Sequence, residues 1–487
     1  MAAFVLATAI GLAPTSHLET PVALALQGSV RGLPGLMCPA GDTAELDSVL
    51  RDVMSRSRMP GLATMVVKDG EVFWNRCYGY AILGDSAGES IPVTDTTCFT
   101  LASVSKTVTG MAAMQLWENG RFDLDGDISE SLPFAVHHSA FPDSPITFQM
   151  LLTHTSGICD NWAVIPGYYA RGDPDVSLRT FLEDYFIPGR PGYDSAGNFY
   201  QNIAPGQAYQ YSNAAATLLA LEVEVMAESF PLYTRDSIFR PLGMDRTTWF
   251  FADLDTMSVA CQYRWGGSSW SRYGYWSNAL YPVCCLKSCT RDLGAYLGMW
   301  LAYGRHDTLQ PLDSATVELM LQPYVLPPPG AQGLIWYQET INGDTVWCHA
   351  GGWDGVCTYI AICRRCGSGI IALTNGDPSQ VYNDLREHVV PALHGFAVGI
   401  AEERYPFVVR QGRSTIVRGV LFLPEASGAG HDASRVLLDI SGRKVLDLRP
   451  GANDVSRLSP GVYFVRKQGS RGQGFEDSSV TKVVVTR

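Results

Sequence analysis

A chain of 487 residues, 46% apolar and 17% charged, has material for roughly two to three domains with sizeable cores and is too apolar to be disordered. Its formal net charge of −12 makes nucleic acid and anionic membrane surfaces poor partners, and no apolar run is long enough for a membrane span. The acidity is uneven. From Arg418 onward 11 Lys and Arg face 7 Asp and Glu, so the tail carries +4 and the remainder −16, a contrast that predicts a separate C-terminal module.

The first segment, AAFVLATAIGLA, reads as the apolar region of a signal peptide over residues 1–25, with cleavage near Ala13 or after Ala23-Leu24-Ala25. It departs from that pattern in having no Lys or Arg before Arg31. The expectation is export to the periplasm, the cell surface or the medium. Twelve cysteines all precede position 370, and an even count in an exported chain favours disulfides whose pairing spacing alone leaves open. Cys363-Arg-Arg-Cys366 has the spacing of half a zinc site, with Cys284, Cys285 or Cys289 as partners at irregular spacing. It reads instead as flanking a tight turn between the strands CTYIAIC and GSGIIALTN. No metal and no cofactor is expected.

GDTAELDSVLRDVMSRSRMPG has helical apolar spacing and ends in Pro-Gly. GLATMVVKDGEVFWNRCYGYA follows as two strands joined at Lys68-Asp69-Gly70, since Asp-Gly is a strong hairpin signal. LASVSKTVTGMAAMQLWENG is a helix with Val104, Val108, Met111 and Met114 on its buried side, stopping at Asn119-Gly120. Residues 121–330 alternate short helices with loops, the clearest helices being 213–230 and 291–304. Strand patterns return over 333–374 in GLIWYQET, DTVWCHAGG, CTYIAIC and GIIALTN. Strands early and late with helices between them predict one sheet built from both ends of an α/β domain, with a helical subdomain inserted. PSQVYNDLREHVVPALHG, 378–395, is a closing helix, followed by a linker to about 415. Residues 415–487 carry short period-two strands with turns at Ser441-Gly442, Pro450-Gly451 and Pro460-Gly461, which predict a small β-sandwich without chemistry of its own.

Three elements carry chemistry. Ser103-Val-Ser-Lys106 puts a hydroxyl and an amine on one helix face about one turn apart, with the hydroxyl at the N-terminus where backbone N–H groups favour developing negative charge. Alone that spacing is weak; followed in order by Tyr211-Ser212-Asn213 and His349-Ala350-Gly351 it is strong. Lys106 activates Ser103 directly if neutral, or indirectly by holding a nearby phenolate. Bringing a phenol from about 10 to about 7 asks for about 4 kcal/mol, which two neighbouring cations can supply. Tyr211 is then the base for Ser103 and the acid for the leaving group. Asn213 contacts a substrate carbonyl or Lys106. His349 polarises the Tyr211 hydroxyl or binds a substrate carboxylate, and small residues at Gly351 and Gly352 let a substrate backbone lie along the strand. The N–H groups of Gly352 and Ser103 form an oxyanion hole. His154, in LLTHTSG, reads as structural, and the aromatic run 264–281 as a roof over the pocket.

LASVSKTVTGMAAMQLWENGRFDLDGDI, ITFQMLLTHTSGI, PGQAYQYSN, IFRPLGMDRTTW and HAGGWDGVCTYIAI followed by LTNGDP resemble the serine hydrolases related to class C β-lactamases and D-alanyl-D-alanine carboxypeptidases. The resemblance spans about 40–397 and implies an antiparallel sheet flanked by helices, with Ser103 as acylated nucleophile, Lys106 and Tyr211 as its activators, Asn213 as a substrate-side contact and His349 to Gly351 as the third motif. The family's β-lactamases usually open that motif with Lys, whereas this chain has His349, as several peptidases and esterases of the family do. The expected activity is therefore carboxypeptidase-like or esterase-like hydrolysis of a peptide, amide or ester, cell-wall peptide included; a β-lactamase, or a penicillin-binding module without turnover, is the alternative. LLDISGRKVLDLRPGANDVSRLSPGVYFVRK resembles the immunoglobulin-like sorting domains of type-nine secretion substrates, which implies the export machinery as a partner.

Overall fold

The computed structural model describes residues 43–404 apart from 85–87 and 327–329, and parts of 415–485. The expected signal peptide, its cleavage sites and Cys38 lie outside the described residues. Contacts divide the chain into two compact units, Met1–Gly399 and Ile400–Arg487.

In the first unit, α1 (Thr43–Ser57) buries Leu46, Leu50, Val53 and Met54, the one-face spacing its sequence predicts. β1 (Gly61–Lys68) and β2 (Glu71–Ile82) turn at Asp69 and Gly70, whose φ angles of 51° and 87° give the paired left-handed residues of a tight hairpin. β2 then pairs with β3 (Ile91–Pro92). Four late strands complete the sheet: β4 (Tyr337–Ile341), β5 (Asp344–Trp353), β6 (Val356–Cys363) and β7 (Ser368–Thr374). The order is β4-β5-β6-β7-β1-β2-β3, antiparallel throughout, with Leu62 opposite Thr374 where the two ends of the domain meet.

Helices cover the sheet. The helix Thr290–Leu301 approaches β1 and β2 through glycines, because a Cβ at Gly294 would lie 2.6 Å from Met65 Sδ and one at Gly298 2.7 Å from Gly70 O. Phe396, on the last helix, packs its ring 6.0 Å from Phe73 and 5.8 Å from Trp74. The closing segment runs as Pro378–Asp384, a wider π turn over Leu385–Val389 that accommodates Pro391, and Val390–Arg404. It therefore continues past the expected end at 395 and takes up part of the expected linker. Between the two groups of strands, the helices Ser105–Glu118 and Asn213–Ala227 form the helical part; nearly all of the former is buried. Among the described residues no helix is long and apolar enough to cross a membrane.

The second unit contains a five-stranded sheet in the order Thr415–Val417, Val480–Val485, Gly461–Lys467, Arg435–Leu438, Lys444–Leu448, and a separate pair of Val420–Leu423 with Gly451–Asp454. Leu437, Leu448, Val455, Tyr463 and Val465 form its core. Of the expected turn at Pro450-Gly451, Pro450 lies outside the described residues and Gly451 opens the strand Gly451–Asp454, which pairs with Val420–Leu423.

Candidate active site

Ser103 sits in a single 3₁₀ turn, Ala102–Val104, that leads straight into the helix Ser105–Glu118. Ala102 is left-handed, with φ +46°, a conformation that costs an L-residue about 1–2 kcal/mol and needs bracing. Three bonds brace it: Leu101 N–H donates to Leu286 O (2.8 Å), the Thr358 hydroxyl of β6 donates to Leu101 O (2.7 Å), and Leu286 N–H donates to Ser105 Oγ (3.1 Å). Lys106, fully buried, donates to Ser103 Oγ and to Val283 O, both at 3.0 Å. The spacing on one helix face thus produces the contact it predicts.

Lys106 Nζ also lies 5.0 Å from the centroid of the Tyr211 ring, so the second element joins the first. Tyr211 precedes the helix Asn213–Ala227, whose N-terminus Ser212 caps by accepting from Ala215 N–H at 3.0 Å. Asp160 binds the same segment. Its carboxylate accepts from the Ser212 hydroxyl (3.0 Å), Asn213 N–H (2.9 Å), the Asn213 side-chain amide (2.8 Å) and Ala214 N–H (2.9 Å). Burial pushes the Asp160 carboxyl up, and these donors together with Lys106 offset part of that shift. The Asn213 amide is therefore turned to Asp160, a partner that sequence reasoning missed; its one signal was an acidic residue just beyond the LLTHTSG motif.

His154, expected to be structural, also belongs to this cluster. It is buried and left-handed (φ +55°), accepts from Gln210 N–H through its carbonyl at 2.7 Å, and lays its ring 4.5 Å from that of Tyr211. Burial, then the charge of Lys106, push its imidazole well below the usual histidine range.

The third element lies on β5. His349 is buried; desolvation, then Lys106, lower its pKa to about 3, so the ring is neutral. Its Nδ1 is 2.8 Å from Ala350 O, and a carbonyl only accepts, so the proton is on Nδ1 and Nε2 offers a lone pair. That Nε2 is buried without a hydrogen-bond partner among the described residues. Lys106 therefore stands among neutral imidazoles, and the His349 Nε2 lone pair is placed to accept from a hydroxyl or N–H. Gly351 is opposite Thr358, and a Cβ there would lie 2.3 Å from Leu101 O, 2.3 Å from Thr358 Oγ1 and 3.1 Å from Ser103 N. Only glycine lets β5 run this close to the serine turn. Gly352, buried and opposite Cys357, comes next on the strand.

A cavity beside these groups is lined by Trp162, Ile165, Tyr169, Asn213, Asn278, Leu280, Val283 and Cys284. The aromatic run 264–281 contributes only Asn278 and Leu280, because its Trp265 and Trp270 pack on one another, 5.1 Å apart, across their own hairpin. Trp162 and Tyr169 supply the cavity's aromatic wall.

The β-lactamase family model matches residues 46–393. Protein flp of Staphylococcus aureus (strain NCTC 8325 / PS 47) is 25% identical over 352 residues, covering 71% of this chain and 65% of that protein, so the chain spans less than two thirds of that relative's length. Among solved structures, the octameric penicillin-binding protein homologue from Pyrococcus abyssi aligns with a TM-score of 0.58 at 20% identity, over 91% of this chain and 90% of that one. The β-lactamase/D-alanine carboxypeptidase from Pseudomonas syringae gives 0.55 at 21%, over 72% and 98%. The serine turn, the capped Tyr211 segment and the glycine-bearing strand are thus parts of one known scaffold, and the chain belongs to the β-lactamase family.

Proposed function

We propose that the protein is a serine hydrolase that works through an acyl-enzyme on Ser103 and cleaves an ester, amide or peptide bond. The observation that carries this reading is the buried Lys106 amine, 3.0 Å from Ser103 Oγ and facing the Tyr211 ring. Tyr211, as a phenolate with the Lys106 ammonium as its counter-ion, takes the Ser103 proton as the hydroxyl attacks the substrate carbonyl, and returns it to the leaving group; water then repeats the exchange to release the acid. The N–H groups of Ser103 and Gly352 receive the developing oxyanion, each worth about 3–4 kcal/mol. The lone pair of His349 Nε2 orients the Tyr211 hydroxyl or a substrate donor. Export, with the C-terminal strands as a sorting signal, is part of the same reading and is supported by the apolar first segment.

The experiment is turnover of a short-chain nitrophenyl ester, with the intact mass of the protein measured after minutes with a simple penicillin, for wild type and Ser103→Ala. Ester turnover by the wild type that falls by at least about a thousandfold in Ser103→Ala, with unchanged circular dichroism, is the expected result. A stable penicilloyl adduct on wild type alone would move the substrate to the carboxypeptidase branch. Undiminished turnover in Ser103→Ala would overturn the assignment.

A further inference from the structure

The far end of β5 holds a second cluster of reactive groups, which the hydrolase reading does not use. Asp344 opens the strand, Cys363 ends β6, Cys366 lies in the turn to β7, and His394 comes from the closing helix. One ligand atom from each lies within 4.8 Å of all the others. His394 Nε2 is 3.5 Å from Asp344 Oδ2 and 3.6 Å from Cys366 Sγ, which is itself 4.0 Å from Asp344 Oδ2. A tetrahedral zinc ion, with bonds of about 2.0–2.3 Å, places its ligand atoms about 3.3–3.8 Å apart. Three edges of that tetrahedron are therefore already present to within a few tenths of an ångström.

The surroundings fit a cation held by thiolates. Arg365 pairs with Asp344 Oδ1, which leaves Oδ2 facing the cluster. Cys366 N–H donates to Cys363 Sγ at 3.4 Å, a bond that stabilises a thiolate, and Lys68 donates to Cys366 O. His394 is fully buried, and its Nδ1 has no hydrogen-bond partner among the described residues, so the polar contacts of the ring are all made within the cluster. In this structure Cys363 and Cys366 are joined as a disulfide.

We propose that Asp344, Cys363, Cys366 and His394 form a structural zinc site when the cysteine pair is reduced, so that disulfide and metal are alternative states of one locus. A dithiol or phosphine reductant supplies two electrons and the S–S bond breaks. Each sulfur takes up a proton to give a thiol, and both protons leave to solvent as the thiolates bind Zn²⁺ beside the imidazole and the carboxylate. Two soft thiolates with one imidazole and one carboxylate select zinc over the oxygen-preferring Mg²⁺ and Ca²⁺. The ion would tie the end of the sheet to the closing helix, at the start of β5, whereas His349 lies in the middle of that strand. The sequence reading favoured a plain turn, with Cys284, Cys285 or Cys289 as the partners a metal site would have needed; the fold brings up Asp344 and His394 instead.

The test is made on the full chain, reduced with a phosphine, loaded with Zn²⁺ or Co²⁺ and freed of excess metal. Expected are one metal ion per chain and, with Co²⁺, a thiolate-to-cobalt charge-transfer band with strong tetrahedral visible bands. Both should be retained in Ser103→Ala, lost in Cys363→Ser and Cys366→Ser, and weakened at least about tenfold in affinity in His394→Gln. The oxidised wild type is a folded control that needs no substitution and should bind none. Reduced wild type, folded by circular dichroism, that holds no more metal than the oxidised protein would overturn the proposal. So would metal binding that survives loss of both cysteines.

Discussion

Two helices start at the candidate site, and their N-termini are built in opposite ways. The helix Asn213–Ala227 is saturated: Ser212 caps it, and the Asp160 carboxylate accepts four hydrogen bonds from its first turn. The turn that carries Ser103 has no side-chain cap at either of its two starting positions, and is held from outside by Leu286 and Thr358 through Leu101 and Ser105. A capped helix start has its electrostatic demand met within the fold and serves as scaffold. An uncapped one keeps its positive end for charge that arrives later. The pair teaches that this fold supplies its own anion where position matters and leaves the place open where the reaction would supply one.

Substitutions can break that contrast, the strongest first. Asp160→Ala strips the saturated end of its carboxylate and leaves several donors unmet; the expected loss is about 3–5 kcal/mol in denaturant unfolding, with ester turnover falling as Tyr211 and Asn213 loosen. A loss under 1 kcal/mol would mean that Asp160 is not the scaffold. Glu222, on the same helix, is buried, and its carboxyl is pushed up to about 8 with the Ser131 hydroxyl offsetting only part of the shift. A folded-state pKa above the unfolded value of about 4.5 means that the native protein holds a proton the unfolded chain releases. Stability is therefore lost as pH rises through that window, on the order of 1.4 kcal/mol per pKa unit. Glu222→Gln should flatten this decline, gaining up to a few kcal/mol on wild type at pH 8 and little near pH 4.5, as read from melting temperatures across pH. An unchanged slope would place the titration elsewhere. Ser212→Ala should cost about 1 kcal/mol, the usual worth of a cap, and leave the Lys106 environment as it is.

Local rules carried the sequence reading a long way and then stopped where contacts become distant. The Ser103–Lys106 contact follows from helical spacing within one turn, and the β1–β2 hairpin from Asp69-Gly70, so both were legible. Asp160 and Asn213 are 53 residues apart in sequence, and no pattern at either position announces the other. His154 looked structural, and it is buried; its ring contact with Tyr211 depends on how the Gln210 backbone is held, which only the fold decides. The closing helix was expected to end at 395 and runs on to Arg404, with the π turn over Leu385–Val389 accommodating Pro391 on the way. Cys363 and Cys366 were correctly set beside a turn, but Asp344 and His394 reach them from another strand and from a helix.

The pairing of Leu62 with Thr374 has a consequence for how the protein is made. β1 leaves the ribosome early and must wait for β7, which at about 5–20 residues per second follows on the order of tens of seconds later. Ser103 and Lys106 are translated long before β5 and β6, the strands that brace them, so a nascent chain carries its reactive pair well ahead of the site. Closing the sheet is necessarily a late, long-range step, and the surroundings of Ser103 are complete only after it.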